Sequence, residues 1–400
     1  MIEPSQNQLA VAQQAIDWFY NSPDMVFQIS GGPGTGKSFL LHYIVSQLGL
    51  KWYEVAPMTF TGAAAIVMRK KGFSTAKTMH SWLLKPVKAS KKDKEGKPLL
   101  DSYFNIPQSG ITFIPISLNT DYIRLVVVDE GKMVPMPMRE LLERNHVKTI
   151  VAGDIDQLDP VGYSPAYLTT GKVHRLTEIF RQKRDSGIVY IAQRIKQGLP
   201  IHCGVYNNCT VLYEDEITTD MMLSSDAILC GRNATRDQIN NHIRHNVLQY
   251  DSWLPRHGEK VICRANDWNI SIDEINLANG LVGVVSNYPD VTAIADKSSF
   301  EIDFQPYLLT RPFKKLRLDA NYFKASYRDK AKIKNQFSYN GHLFEYAYAI
   351  TTHLAQGSEY QRGIFIEEFL NHNIDTQLRY TGITRFSDYC IYAKKRRRYY

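Results

Sequence analysis

The sequence predicts an α/β fold made of two parallel-sheet domains, with a β-hairpin inserted in the first and a small β-barrel inserted in the second. Three observations predict it. Apolar runs of strand length alternate with helical patterns near both ends of the chain, the arrangement that covers both faces of a parallel sheet with helices. A lysine- and glycine-rich stretch interrupts the first alternating region at 85–119, and a series of short β-rich segments interrupts the second at 258–342. The 400 residues are enough for two or three domains of roughly 150 residues each.

Taken in order, Leu9, Ala12, Ile16 and Phe19 recur at helical spacing, and Asn21, Ser22, Pro23 and Asp24 end that helix. VFQIS at 26–30 leads directly into GGPGTGKS and the helical pattern FLLHYIVSQL. KWYEVA at 51–56, RLVVV at 124–128 and TIVAG at 149–153 supply further strands of a first domain spanning 1–84 and 120–165. KPVKASKKDKEGKP and ITFIPI make the hairpin of 85–119. AILCGR at 227–232 and the helical TRDQINNHIRHNVL belong to a second domain, 166–257 and 343–400, in which EYAYAITT resumes the α/β pattern. EKVICRA, GLVGVVSNY, VTAIA and FEIDF, punctuated by NG and PD turns, make the barrel of 258–342.

Composition narrows the function. Hydrophobic residues at 44% exclude a disordered chain, and no apolar run approaches the ~20 residues of a membrane helix. The N-terminus lacks the basic start and continuous apolar core of a secretory signal, so a cytoplasmic location is expected. Five cysteines without a CxxC pair point to neither a zinc site nor a disulfide framework. The net charge of +8 allows a polyanionic partner, but Lys394, Lys395, Arg396, Arg397 and Arg398 carry five of those charges, so a basic groove would have to come from placement.

The strongest motif is Gly31 to Ser38, a GxxxxGK[ST] loop between strand and helix. Gly32, Gly34 and Gly36 let backbone N–H groups wrap phosphates, as does the peptide of Thr35; Lys37 reaches the β- and γ-phosphates of ATP and Ser38 holds Mg²⁺. Asp129 and Glu130 follow the strand RLVVV, at the carboxyl edge where open α/β sheets bind ligands. One acid, Asp129, would hold Mg²⁺ and the other, Glu130, would polarise the attacking water. Gly153 to Val161, GDIDQLDPV, follows another apolar strand.

This run of motifs resembles the superfamily-1 helicases of the RecD/Dda/Pif-type branch, most of all the small phage Dda-like enzymes. The resemblance spans nearly the whole chain and implies two RecA-like lobes. It gives Gln157 the role of γ-phosphate sensor and makes Gln8 in NQLAV the adenine-reading glutamine. KTMHSWL resembles a nucleic-acid contact motif through Thr78, His80 and Ser81; LTEIFRQ offers Arg181, and YTGITR offers Arg385, as arginine fingers. AYAITTHLAQGSE resembles a further motif, with Thr351 and His353 at nucleic acid and Gly357 and Glu359 at the nucleotide. Departures accompany it. Ala56, Pro57, Thr61, Gly62, Ala63 and Ala64 depart from the usual spacing of a DNA-contact motif, Leu354 stands where lysine is usual, and Lys132 stands where serine is usual. Pairing with an acid and approach to a nucleotide phosphate are both open roles for Lys132.

A motor indifferent to sequence needs phosphate contacts and aromatic faces. Phe60, Thr61, His80, Trp82 and Trp268 are the candidates, although a core role is open to each ring, and His80 can equally be a buried core histidine. The resemblance further implies that the 85–119 hairpin is the pin that splits duplex and that the barrel holds it. The resulting expectation is a monomeric ATP-dependent DNA helicase of replication, repair or recombination. It would move 5′-to-3′ on single-stranded DNA, act on tailed duplex, and have a single-strand-binding or replication protein as a candidate partner. A translocase that unwinds little, an ATP-gated strand clamp and an RNA-directed motor are the alternatives.

Overall fold

The computed structural model describes residues 3–88, 111–160, 162–178, 186–287, 298–334, 340–370 and 372–396. The first sheet is wholly parallel, in the order Lys77–Thr78, Val55–Thr59, Leu125–Asp129, Lys148–Gly153, Val26–Gly31, Val173–Leu176. Its central strands are buried along nearly their whole length, which is why Leu125–Asp129 and Lys148–Gly153 read as the apolar runs LVVV and IVA rather than as alternating patterns. The helices Gln6–Asn21 and Lys37–Gln47 cover one face through Val11, Ala15, Trp18, Leu40 and Ile44. The helix Met136–Glu143 covers the other through Met138, Leu141 and Leu142. Ser5 caps the first helix in a reciprocal pair with Gln8, which fixes where it starts.

The second sheet runs Ala349–Thr351, Ala227–Cys230, Tyr360–Ile366, Phe386–Lys394, Cys209–Tyr213, Gly204–Tyr206; only the last pairing is antiparallel. Between its strands lies a five-stranded antiparallel sheet in the order Phe313–Asp319, Ser299–Pro306, Val282–Val285, Lys260–Cys263, Phe344–Tyr346. A bridge from Leu318 to His342 ties its two edges together and curls it toward a barrel around Val261, Ile302, Phe304 and Phe344.

Two local expectations change. Trp52–Glu54 is a 3-10 turn, so the strand begins only at Val55. EYAYAITT is divided: Phe344–Tyr346 completes the barrel sheet and Ala349–Thr351 enters the second parallel sheet, so the insertion extends past the expected limit at 342. Both halves are largely buried, and hydropathy alone carries no mark of which sheet each half joins.

The strands Leu84–Lys88 and Ile111–Pro115 pair antiparallel at the base of the 85–119 hairpin. Lys91, Lys92 and Lys94 lie outside the described residues, as do Arg181, Arg397 and Arg398. Among the described residues no helix is long and apolar enough to cross a membrane.

Candidate functional site

At the carboxyl end of Val26–Gly31 the chain turns through Gly34 (φ 76°) and Gly36 (φ 75°) into the helix Lys37–Gln47. Gly36 is the N-cap, and a Cβ there would stand 2.4 Å from Gln8 Nε2, so the position needs glycine for both space and angle. The free N–H groups and partial positive charge of that helix start border a cavity of about 610 Å³. Lys37 Nζ donates to the carbonyls of Gly31 at 2.7 Å and Gly32 at 3.2 Å. Gln8 is buried, donates from Nε2 to the Thr35 carbonyl at 3.1 Å and accepts from the Ser5 N–H at 3.1 Å. It splints the first helix to the phosphate loop.

Asp129 ends its strand on the same cavity, and Glu130 follows in the left-handed region at φ 53°. Asp129 Oδ1 accepts from the Glu130 N–H at 2.9 Å. Burial, and then the charge of Glu130, hold the Asp129 carboxyl above its ordinary pKa, while Lys71 and Lys37 pull it back. A divalent cation would relieve this crowding of negative charge. Ser38 and Asp129 are hard oxygen donors on one cavity wall and suit Mg²⁺. Among the described residues no cluster of three or more His, Cys, Asp or Glu could hold a metal by itself, so phosphate oxygens and water would complete the shell.

The second lobe brings Gly357, Glu359 and Arg385 to the opposite wall. Arg385 is buried, with Nη1 at 3.7 Å from Glu130 Oε1 and 3.4 Å from the Ser358 carbonyl, and its Nε has no partner. Glu359 lies 3.8 Å from Lys71 of the first lobe. Gly357, at φ 79°, abuts Thr61 and Ala64, where a Cβ would clash at 2.8 Å.

Gln157 reaches the cavity on a loop held from both lobes. Lys132, 5% exposed, donates to the carbonyls of Ile155 and Gln157 and pairs with Asp159 at 2.9 Å. That decides between the two roles open to it: Lys132 pairs with an acid and pins the Gln157 loop. The Leu158 N–H donates to Thr381 Oγ1 at 2.8 Å, and the Leu158 carbonyl accepts from Gln356 Nε2 at 2.9 Å. Tyr380 donates to Asp154 Oδ2 at 2.9 Å, and burial before all else raises the pKa of both groups. The start of the loop is thus anchored to the helix His372–Ile383 as well.

A second cavity, about 490 Å³, lies between the first lobe, the barrel and the second lobe. Phe60, Thr61, Thr78, His80, Trp268 and His353 all line it. Trp268 stands between His80 (5.7 Å, stacked) and Phe113 of the hairpin (5.3 Å, edge-on). Burial lowers the His80 pKa to about 4, so the ring is neutral at neutral pH and offers a face rather than a charge. The hairpin Asp267–Ile272 and Ile275–Leu277 carries Trp268; Lys77 pairs with its Glu274 at 3.2 Å, and Arg69 donates to the Asp273 carbonyl.

Two expected groove residues lie elsewhere. Trp82 donates from Nε1 to the Pro57 carbonyl at 3.0 Å and packs on the first-lobe core, because its helix, Met79–Leu83, turns that side inward. Thr351 is buried at the end of its strand, where its carbonyl accepts from the N–H groups of Leu354 and Ala355. Gly32 and Thr35 line a smaller cavity of about 270 Å³ behind the loop, and the Thr35 hydroxyl is bonded to the Gly32 carbonyl at 2.9 Å. Sequence reasoning missed His42, Lys71, Gln356 and Thr381. Gln356 and Thr381 sit inside recognised motifs, but only the packing of the lobes reveals their shared partner; His42 and Lys71 carry no local signal at all.

The AAA domain family matches residues 5–210, just over half of the chain and including the whole phosphate loop, the acid pair and the Gln157 loop. The chain belongs to the AAA domain family. Solved structures of Pif1 helicases share the fold of this member. The Pif1 of a study of unwinding at forked duplex DNA is 17% identical, with 98% of this chain and 92% of that one covered at a TM-score of 0.54. The Bacteroides Pif1 helicase in complex with ADP-AlF3 and single-stranded DNA is 16% identical over 98% and 92%, also at 0.54. The Candida albicans Pif1 helicase is 16% identical over 98% and 95%, at 0.50.

Proposed function

We propose that the protein is an ATP-dependent DNA helicase that moves 5′-to-3′ along single-stranded DNA and separates duplex. The observation that carries this reading is the Leu158 peptide. It follows Gln157 at the nucleotide cavity, and both of its polar atoms are held by the second lobe, through Thr381 and through Gln356, a residue that lines the second cavity. A change at the γ-phosphate end of ATP therefore has a short mechanical route to the groove. Pif1 helicases, whose fold this is, have been solved with single-stranded DNA and with a nucleotide, which supports the same assignment of the two cavities.

ATP would lie with its phosphates on the Gly32–Ser38 loop, and bound Mg²⁺, held by Ser38 and Asp129, would supply neutralising charge at the phosphates. Lys37 would exchange the carbonyls of Gly31 and Gly32 for phosphate oxygens. Glu130 would orient the attacking water and accept its proton, and Gln157 would sense the γ-phosphate. Arg385, and Arg181 outside the described residues, would neutralise charge on the transferred phosphoryl group once the lobes close. The hairpin of 85–119 would act as the pin, steadied at its base by Phe113 against Trp268. A monomer resembling the small phage enzymes, cytoplasmic and loaded by a single-strand-binding or replication protein, completes the reading.

The test is ATP-driven strand separation on matched duplexes with a 5′ or a 3′ single-stranded tail, with hydrolysis followed in parallel. Opening of the 5′-tailed duplex alone is expected. Stimulated hydrolysis without opening would replace helicase by translocase; no stimulation would replace it by clamp, and preference for an RNA tail by an RNA motor.

A further inference from the structure

The loop that carries Gln157 is held after the glutamine by Lys132 and by the two bonds of the Leu158 peptide. Before the glutamine, its hold comes from two acids. The Gln157 N–H donates to the Asp154 carbonyl at 3.4 Å and the Asp156 N–H to Asp154 Oδ1 at 3.0 Å, so Asp154 closes a turn next to the glutamine. The second lobe meets both acids. Tyr380 donates to Asp154 Oδ2 at 2.9 Å, while Lys196 donates from Nζ to Asp156 Oδ2 and stands 5.6 Å over the Tyr380 ring. Lys196 reaches the loop because of its helix, Gly187–Lys196, in which Ile188, Ala192 and Lys196 recur every four residues and share a face. All three border the cavity of about 270 Å³ that Gly32 and Asp156 border as well. Ile191 and Ile195 pack the same helix into the core of the second lobe, which holds its last residue against the first.

We infer that Lys196 is a positioning residue for ATP hydrolysis, which acts through Asp156 to hold Gln157 from the second lobe. Gln157 then has a second-lobe bond on each side of it, to the Asp156 side chain before and to the Leu158 peptide after. Neither Lys196 nor Asp156 borders the nucleotide cavity, so the pair reaches the chemistry only through the loop. Its side chains are 42% and 33% exposed, so water screens the attraction, and the bond is weak enough to be made and broken as the lobes move. Its place sets it apart from an ordinary surface pair. Lys196–Asp156 and Tyr380–Asp154 cross the same lobe boundary side by side, so separation of the lobes there breaks both and frees the turn that leads into Gln157.

This inference rests on the proposed ATP hydrolysis and is tested by hydrolysis alone, apart from strand separation. Turnover of ATP by the full chain is followed with and without a deoxythymidine oligomer for the intact protein, Lys196→Met, Lys196→Arg and the exchange of Asp156→Lys with Lys196→Asp. Lys196→Met, which keeps an unbranched stem, should lower kcat about 2- to 5-fold, the span that a partly exposed pair can contribute, and change KM for ATP less than about twofold. Lys196→Arg should recover most of the lost kcat, since arginine also donates to a carboxylate, and the exchange should recover part of it. Both positions are partly exposed, so the variants are expected to fold, and thermal unfolding checks that they do. Unchanged kcat in Lys196→Met would overturn the inference, as would a raised KM with kcat intact or a loss that neither arginine nor the exchange recovers. Absence of hydrolysis by the intact protein would overturn the proposed function and the inference with it, whereas hydrolysis without opening of any duplex would overturn only the helicase reading.

Discussion

Replacement of Arg385 by alanine probes the junction of the two lobes most directly. Its guanidinium sits 3.7 Å from Glu130 across the nucleotide cavity, with 7% of the arginine side chain and 22% of the glutamate exposed. At an effective dielectric of about 20 the Coulomb attraction is about 4 kcal/mol. Solvent around Glu130 and the cost of burying the arginine reduce the net coupling to about 1–2 kcal/mol. Arg385→Ala should therefore lower the unfolding free energy by about 1–2 kcal/mol, and adding Glu130→Gln should recover most of that loss, because no uncompensated charge then remains. The effect on hydrolysis is larger, since an arginine finger contributes about 10³-fold or more to phosphoryl transfer. Single-turnover hydrolysis should fall by about that factor, while ATP affinity, followed with a fluorescent analogue, changes less than about threefold. Loss of ATP binding as deep as that caused by Lys37→Ala, with unchanged hydrolysis of the nucleotide that does bind, would refute Arg385 as a finger and reduce it to a binding contact.

Other substitutions test the remaining parts. Lys37→Ala removes two bonds to loop carbonyls and the charge that offsets Asp129, so it should abolish turnover while the unfolding free energy falls by only about 1–2 kcal/mol and the fold is kept. Asp129→Asn should also abolish turnover yet raise the melting temperature at pH 7. The Asp129 pKa is higher folded than unfolded, so its ionisation costs stability as pH rises through the acid range, and the advantage of asparagine should vanish below about pH 4, where both states are protonated. Lys132→Met keeps the stem but leaves Asp159 and the carbonyls of Ile155 and Gln157 unbonded; it should destabilise the protein by about 2–4 kcal/mol in urea titration and slow hydrolysis more than it weakens ATP binding. Gly36→Ala should weaken ATP binding, because it strains the φ of 75° and pushes Gln8 away from the loop, and limited proteolysis should then detect a loosened first helix.

Much of the nucleotide cleft was legible in the linear chain. The strand, glycine loop and helix around Lys37, and the acids after Leu125–Asp129, are contiguous segments whose chemistry depends on residues a few positions apart. Local geometry is then enough to bring the groups together, because a strand end and a helix start are only a short turn apart. The two insertions were legible for a related reason: they break a period. Their limits were not, since Phe344–Tyr346 and Ala349–Thr351 follow each other within a few residues, both largely buried, and only pairing shows which sheet receives each.

The groove could not be read in the same way. Nothing local separates Trp268, which stands between His80 and Phe113, from Trp82, whose indole is spent on the Pro57 carbonyl. Both are aromatic residues beside polar ones, and burial is a property of the assembled surroundings. By itself the sequence determined the α/β class, the phosphate loop and the acid pair, because these rest on interactions of short range along the chain. Only the tertiary structure decided that Lys132 holds the Gln157 loop and that Gln356 and Thr381 share the Leu158 peptide. Those partners lie 25, 198 and 223 positions apart, and their meeting depends on how two lobes and a barrel pack.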